Sequence, residues 1–252
     1  MKMIFMGRKN YAAELLAWTV KQGIEVVAVC TDNQFPNSPT AAKARQLGIP
    51  VISMEEAEAL SERERIDLVV SYLYWRKIRK PLIENPTYGC INFHPAILPD
   101  WRGTAGYNVA ILNKLSTWGA TAHYVSPEID AGNIIRVFDF KFDYRLETVK
   151  TLEKKTQEIQ MELYKSVILD VMEKGILPST PQKPEDGVYI SRDQMEAMKK
   201  IDPEKDDIDL KIRAFWFPPY DGAYVTIQGK NYTLINRDIL ASLADENQTA
   251  IV

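Results

Sequence analysis

An open α/β fold with a mainly parallel sheet, followed by a small C-terminal α+β region with a hairpin, is what this sequence predicts, and three observations predict it. Short apolar runs alternate with helix-like segments through the first half of the chain, the rhythm of βαβ units. Runs such as 26–29 and 68–70 carry few polar positions, as suits strands covered by helices on both faces. The composition then shifts at PSTPQKPEDG, residues 178–187, where three prolines and no apolar periodicity read as a linker. The 252 residues, 46% hydrophobic and 26% charged with 12 Gly and 14 Pro, exclude disordered, collagen-like and coiled-coil chains. One large domain over 1–177 and a small one over 178–252 is the expected organisation.

Taken in order, residues 3–6 read as the first strand, 11–22 as a helix, 24–30 as the second strand, 40–47 as a helix and 51–54 as a further strand. A helix over 55–65, a strand over 66–70, a basic helix over 75–84 and a strand over 88–93 follow. After a loop over 94–105 come a helix near 106–113 and strands over 119–126 and 133–140. Residues 146–175 are helical in pattern, with Val149, Leu152, Ile159, Leu163, Val167 and Val171 on one apolar face and Gly175 as the cap. Beyond 187 lie a polar, acidic helix-like stretch, the aromatic block from Ile212 to Tyr220, and a hairpin over 223–235 turning at Gly229. No internal repeat is visible.

The 31 Lys and Arg against 34 Asp and Glu give a net charge of −3, so no global field draws in a polyanion. The densest basic run, Arg76, Lys77, Arg79 and Lys80, reads as a solvated helix face. Neither a nucleic acid nor a membrane is an expected partner: no apolar run approaches membrane-spanning length, and the apolar stretch before Gly7 is too short for a signal peptide. The two cysteines, Cys30 and Cys90, end or interrupt apolar runs and read as buried reduced thiols, which favours the cytoplasm.

With only two histidines, the search for a proton-transfer group is short. Asn92 and His94 are two apart on a predicted strand, so their side chains share a face. They sit at its carboxyl end, where open α/β sheets bind ligands. Taken alone, Asn92 could tie down a loop and His94 could be a satisfied buried histidine. The rigid loop Pro95-Ala96-Ile97-Leu98-Pro99-Asp100-Trp101-Arg102-Gly103 then offers a substrate lining, and the turn carrying Asp130 offers a carboxylate.

These residues carry a resemblance. INFHPAILPDWRGTAGYN followed by GATAHYVSPEIDAGNII resembles the signature of folate-dependent formyltransferases, in the Asn-x-His-Pro element, the Leu-Pro-x-x-Arg-Gly loop, and His123 followed seven residues later by Asp-x-Gly. The core match covers 88–140, and the preceding region fits the family's Rossmann-like domain. The resemblance implies N10-formyltetrahydrofolate as formyl donor, an amine as acceptor, and Asn92, His94 and Asp130 as the catalytic positions. His123 matches a family position beside the site, with packing and loop support as its expected role. The side-chain types suit the chemistry: an amide N–H stabilises charge developing on the formyl oxygen, a histidine moves the proton, and a carboxylate orients it and balances its charge. No metal is expected, since no Cys or His cluster has metal spacing. The resemblance also places Ser71, Tyr72, Leu73 and Tyr74 near the pterin, largely through backbone groups, while packing is the alternative for the tyrosines.

Several acceptors are known within the family. The block IRAFWFPPYDGAYV resembles the C-terminal element of sugar N-formyltransferases, implying a nucleotide-linked amino deoxysugar such as dTDP-4-amino-4,6-dideoxyglucose or a 3-amino relative. Trp216 and Tyr220 would then stack on the base or build the small domain's core. Arg8, Lys9 and Lys77 would neutralise the pyrophosphate or lie as solvated charges, and Arg102 would line the substrate loop. A methionyl-tRNA formyltransferase is expected to be longer and more basic, whereas residues 181–210 hold nine Asp or Glu against five Lys or Arg. For a glycinamide ribonucleotide formyltransferase the chain is long, and Gly7-Arg8-Lys9-Asn10 stands where a glycine- and serine-bearing phosphate loop is expected. Two other classes are a formyltetrahydrofolate hydrolase, which usually has an added N-terminal regulatory region where here Met1 runs straight into the first strand, and a noncatalytic nucleotide-binding module, whose Gly-x-Gly-x-x-Gly is absent. The hairpin offers a surface for a homodimer.

Overall fold

The computed structural model describes residues 1–31, 37–104 and 106–248, so Ala105 of the predicted loop lies outside the described residues. The chain divides into two compact units that interleave in sequence. The first comprises Met1–Arg102, Gly119–Asp139 and Thr156–Val188; the second comprises Gly103–Trp118, Phe140–Lys155 and the chain from Tyr189 onward.

The first unit is built on a sheet of β1 (Lys2–Gly7), β2 (Glu25–Cys30), β3 (Leu68–Tyr72), β4 (Cys90–His94), β6 (Thr117–Tyr124) and β7 (Ile134–Lys141) in the order β2-β1-β3-β4-β6-β7. β1 pairs parallel with β2 and β3, and β3 with β4, while β6 runs antiparallel to β4. The predicted mainly parallel α/β fold is the one observed. Burial explains why these runs are strands: every residue of β3 is buried, as is β1 from Met3 onward. One core layer joins Met3, Phe5, Leu15, Leu16, Val70, Tyr72 and Phe93 to Leu163, Tyr164 and Val167, and another joins Ile4, Met6, Cys30, Val69 and Cys90 to Met54, Ala57 and Leu82. Burial pushes the Cys30 thiol up to about 12 and Cys90 up as well, as packing residues require.

Helices α1 (Lys9–Lys21), α2 (Pro39–Gln46), α3 (Met54–Arg63) and α4 (Lys80–Glu84) connect the parallel strands. Two expectations need correction here. Residues 51–54 form no strand: Val51 makes an isolated bridge to Val29, and Ser53 then starts α3 with a capping box, accepting from the Glu56 N–H at 3.1 Å while Glu56 Oε2 accepts from the Ser53 N–H at 2.7 Å. Nor is 75–84 one basic helix. Pro81 is tolerated only in the first turn, so α4 begins at Lys80 and the preceding residues form a loop. Arg76 and Arg79 each reach Glu55 Oε1 at 2.8 Å, and Arg79 also reaches Glu58 at 3.3 Å.

Hydrogen bonding from Arg76 lowers the Glu55 carboxyl from its usual 4.5 to about 2. A group depressed on folding contributes stability above its unfolded value and loses it as pH falls. Glu55→Gln is therefore expected to flatten the fall in Tm between pH 4.5 and 2 relative to the unaltered protein at low salt, and to change it little at high salt, where exposed charges are screened.

Helix α6 (Val149–Lys174) ends at Gly175, whose φ of +72° is the left-handed conformation that stops a helix. Its apolar stripe is not continuous: Ile159 is only half-buried, whereas Thr156, Gln157 and Gln160 are fully buried. In the second unit, α5 (Gly106–Leu112) packs on α8 (Ile208–Phe215), with Asn108 donating to the Ala214 carbonyl at 2.7 Å. α8 is capped by Asp207, and α7 (Arg192–Met198) by a Ser191–Gln194 capping box. The predicted hairpin is β9 (Tyr224–Ile227) against β10 (Lys230–Thr233), with Gln228 and Gly229 both at positive φ as a two-residue primed turn requires. A ribbon of β5 (Trp101–Gly103) with β8 (Val188–Ile190), and α9 (Arg237–Gln248), have no counterpart among the predicted elements.

Candidate active site

Strand register assembles the site. Ser71 lies opposite Asn92 across β3 and β4, Asn92 lies opposite His123 across β4 and β6, and His94 lies opposite Thr121. Because side chains alternate along a strand, Asn92, His94, Thr121 and His123 share one face near the carboxyl end of β4. Asp130 joins them from the turn between β6 and β7, its φ of +54° a left-handed conformation that Asp tolerates better than most residues.

The hydrogen bonds assign the tautomers. His123 Nδ1 lies 2.8 Å from the Tyr124 carbonyl and must donate to it, so in the neutral ring Nε2 accepts from Asn92 Nδ2 at 3.0 Å. That fixes the rotation of the Asn92 amide. His94 Nε2 likewise donates to the Trp101 carbonyl at 2.9 Å, leaving the Nδ1 lone pair facing Asp130 Oδ1 at 3.5 Å. Asp130 Oδ1 is also 3.7 Å from His123 Nε2. Both rings and the carboxylate lie in a nearly dry setting: His94 is 6% and His123 2% exposed, and the Asp130 side chain 11%.

Three supports escaped the sequence reading. Thr121 donates to Ala96 O at 2.8 Å and accepts from Leu98 N–H at 3.1 Å, holding the loop after His94 against β6. A buried chain runs from the Tyr72 hydroxyl to Gln157 Oε1 (2.9 Å), from Gln157 Nε2 to Gln160 Oε1 (2.9 Å), and from Gln160 Nε2 to the Phe93 carbonyl (2.6 Å), between the two site residues of β4. Gln182 braces the Asp130 turn, donating to the Asp130 carbonyl at 3.0 Å and to the Gly132 carbonyl.

The structure thus brings Asn92, His94, Asp130 and His123 together in the first unit. Ser71 is buried, and Tyr72 is wholly interior with its hydroxyl on Gln157. Leu73 has φ +56°, and its carbonyl accepts from Arg8 Nε at 2.9 Å, which ties the loop after β3 to the loop after β1. Tyr74 is half-buried, and burial raises its phenol to about 12. Lys9, at φ +69°, and Arg102 are half-buried, and Lys77 is exposed. Trp216 and Tyr220 belong to the second unit; Trp216 is half-buried, while Tyr220 is 64% exposed and stacks on Phe217 at 5.8 Å. Among the described residues, no group of three or more His, Cys, Asp or Glu could hold a metal ion, and no helix is long and apolar enough to cross a membrane.

Curated relatives include the methionyl-tRNA formyltransferase of Bacillus velezensis, 28% identical over 246 residues, which cover 91% of this chain and 76% of the relative. The methionyl-tRNA formyltransferase of Bacillus subtilis is 27% identical over 267 residues, 99% of this chain and 82% of the relative. Among solved structures, a 4-N formyltransferase from Francisella tularensis superposes with a TM-score of 0.78 at 24% identity, over 93% of this chain and 97% of its own. An N-formyltransferase from Helicobacter canadensis, in complex with folinic acid and dTDP-3-aminofucose, superposes with a TM-score of 0.75 at 23% identity, over 92% of this chain and 86% of its own. The family described as formyl transferase matches residues 1–168, two thirds of the sequence, and with the fold and the gathered Asn, His and Asp in place, this chain belongs to that family of formyl-transferring enzymes.

Proposed function

We propose that the chain moves a formyl group from N10-formyltetrahydrofolate to the amine of a nucleotide-linked amino sugar, a dTDP-linked 3-amino or 4-amino deoxysugar. The observation that carries this reading is the convergence of Asn92, His94 and Asp130, with His123 behind them, at the carboxyl end of β4. Folate, when bound, supplies an activated formyl group. Asn92 then donates its remaining amide hydrogen to the formyl oxygen as negative charge grows there. His94 takes the proton lost by the attacking amine at Nδ1, since Nε2 is committed to the Trp101 carbonyl, and returns it to the folate N10 as the N10–formyl bond breaks and tetrahydrofolate leaves. Asp130 offsets the charge so created on the ring. Any folate contact from Ser71 and Tyr72 falls to their main chain, because their side chains are buried.

A sugar acceptor is favoured over tRNA on two grounds. Two cations of the densest basic run, Arg76 and Arg79, are bound to Glu55 and Glu58, and residues 181–210 are acidic on balance. The H. canadensis N-formyltransferase, in complex with dTDP-3-aminofucose, and the F. tularensis 4-N formyltransferase lend support as structural neighbours of the same fold. The deciding experiment offers the purified protein N10-formyltetrahydrofolate with dTDP-3-amino and dTDP-4-amino deoxysugars, glycinamide ribonucleotide and methionyl-tRNA. Transfer to a dTDP-sugar is the expected result, and efficient transfer to methionyl-tRNA overturns it.

The aromatic block allows a sharper check. Tyr220→Ala is expected to weaken nucleotide-sugar binding by about 1–3 kcal/mol with Tm nearly unchanged, because the ring is exposed and stacking on a base is its assigned work. Trp216→Ala should lower Tm as well, since that side chain is half-buried. Calorimetric affinity and thermal melting on the same samples separate the two; unaltered affinity in both variants removes the block from the acceptor site.

A further inference from the structure

The proline-rich segment 178–187 is no simple spacer. Thr180 exchanges two backbone hydrogen bonds of 2.8 Å with Ile134, just beyond the Asp130 turn. Gln182 then donates to the carbonyls of Asp130 and Gly132. Farther along, Gly187 lies so close to the other loop that an added Cβ would stand 1.7 Å from the Pro99 carbonyl oxygen, and the Val188 N–H donates to Asp100 O at 2.8 Å. The segment therefore touches both loops that flank His94. One presents the Trp101 carbonyl to Nε2, and the other presents Asp130 to Nδ1.

We propose that residues 178–188 act as a strap across these two loops and that Gln182 is a positioning residue for Asp130. The proposal rests on the catalytic reading of Asp130 given above. Two features of the geometry support it. Asp130 occupies a left-handed backbone conformation, which persists only where surrounding contacts over-determine it, and Gln182 supplies two of those contacts from one amide. Gln182 Oε1 is buried with no hydrogen-bond partner among the described residues, so the amide is turned to serve the turn's carbonyls at the expense of its own oxygen. A displaced Asp130 would leave the His94 ring without its counter-charge while leaving substrate contacts elsewhere intact, so the effect belongs on kcat.

Gln182→Met keeps the length and removes both donors. Its expected signature is a fall in kcat of about tenfold or more, with KM for donor and acceptor changed by less than about twofold. On an Asp130→Asn background the same substitution should cost nothing further, because the residue acts through that carboxylate. Gln182→Asn, which keeps the amide but shortens its reach, should reproduce the loss and serves if the Met variant does not fold. A second readout needs no turnover: with only two histidines in the chain, isotope-labelled histidine gives two sets of ring signals, and Gln182→Met should shift those of His94 in the same direction as Asp130→Asn. An unchanged kcat with unchanged His94 signals overturns the strap, as does an equal loss on both backgrounds. If Asp130→Asn retains full turnover, the catalytic reading of Asp130 fails instead, and the His94 signals alone decide whether Gln182 places the carboxylate.

Discussion

His94→Ala is expected to lower the single-turnover rate of formyl transfer by ~10²–10⁴-fold while leaving folate affinity within a few-fold, because a proton-transfer group acts on the transition state more than on the bound ground state. Asn92→Ala should cost ~10²–10³-fold, the usual loss for one donor to a developing oxyanion. Asp130→Ala should fall between, since in the proposed mechanism it balances charge on the ring it faces at 3.5 Å. In the proposed mechanism the three residues work on one event, so the double variants should lose little more than the worse single. Rapid-quench transfer assays alongside calorimetric folate binding give both quantities. A folded His94→Ala protein with near-normal turnover would remove the residue from catalysis, and strictly multiplicative losses would assign the three to separate steps.

What was legible in the sequence follows from which physical rules are local. Asn92 and His94 could be read as one constellation because the strand period is two and the sheet-end rule fixes where ligands bind; their register with His123 and Thr121 then completes the face. Asp130 could be read locally only as a carboxylate at a turn, and its pairing with His94 came from the motif match, since nothing local brings a turn residue to a histidine in a neighbouring strand. The polar supports were illegible for a different reason. Hydrophobic periodicity placed Ile159 on the core stripe of α6, yet the buried positions of that turn are Thr156, Gln157 and Gln160, polar residues whose burial is permitted only by partners on other elements. The same blindness applies to Gln182, set among prolines that signal a linker. The basic run at 76–80 failed because helix periodicity ignores the limit that Pro81 sets, and charge counting ignores Glu55 and Glu58. Longer-range partners, in each case, decide what a local pattern leaves open.

Gly132→Ala is expected to cost the enzyme about 10²-fold in kcat, the scale of a displacement of roughly 1 Å at reacting groups. An added Cβ would stand 1.8 Å from the Tyr124 carbonyl oxygen and 2.8 Å from its carbon, main-chain atoms that cannot rotate away, so the turn itself must move. Two consequences converge on the site. Asp130 lies two residues before the glycine, and the Tyr124 carbonyl is the acceptor that sets the His123 tautomer and through it the Asn92 amide. Overpacking of this kind costs about 1–3 kcal/mol, a Tm lowered by roughly 2–12 °C for a chain of this size. Gly23→Ala is the control, because φ there is +81° and nothing lies within 4 Å, so the penalty is conformational alone, about 1–2 kcal/mol. The two variants should therefore lose comparable stability, while only Gly132→Ala loses turnover in the folded fraction. Equal turnover in both would mean that the 130–132 turn tolerates displacement and that Asp130 need not hold its place beside His94.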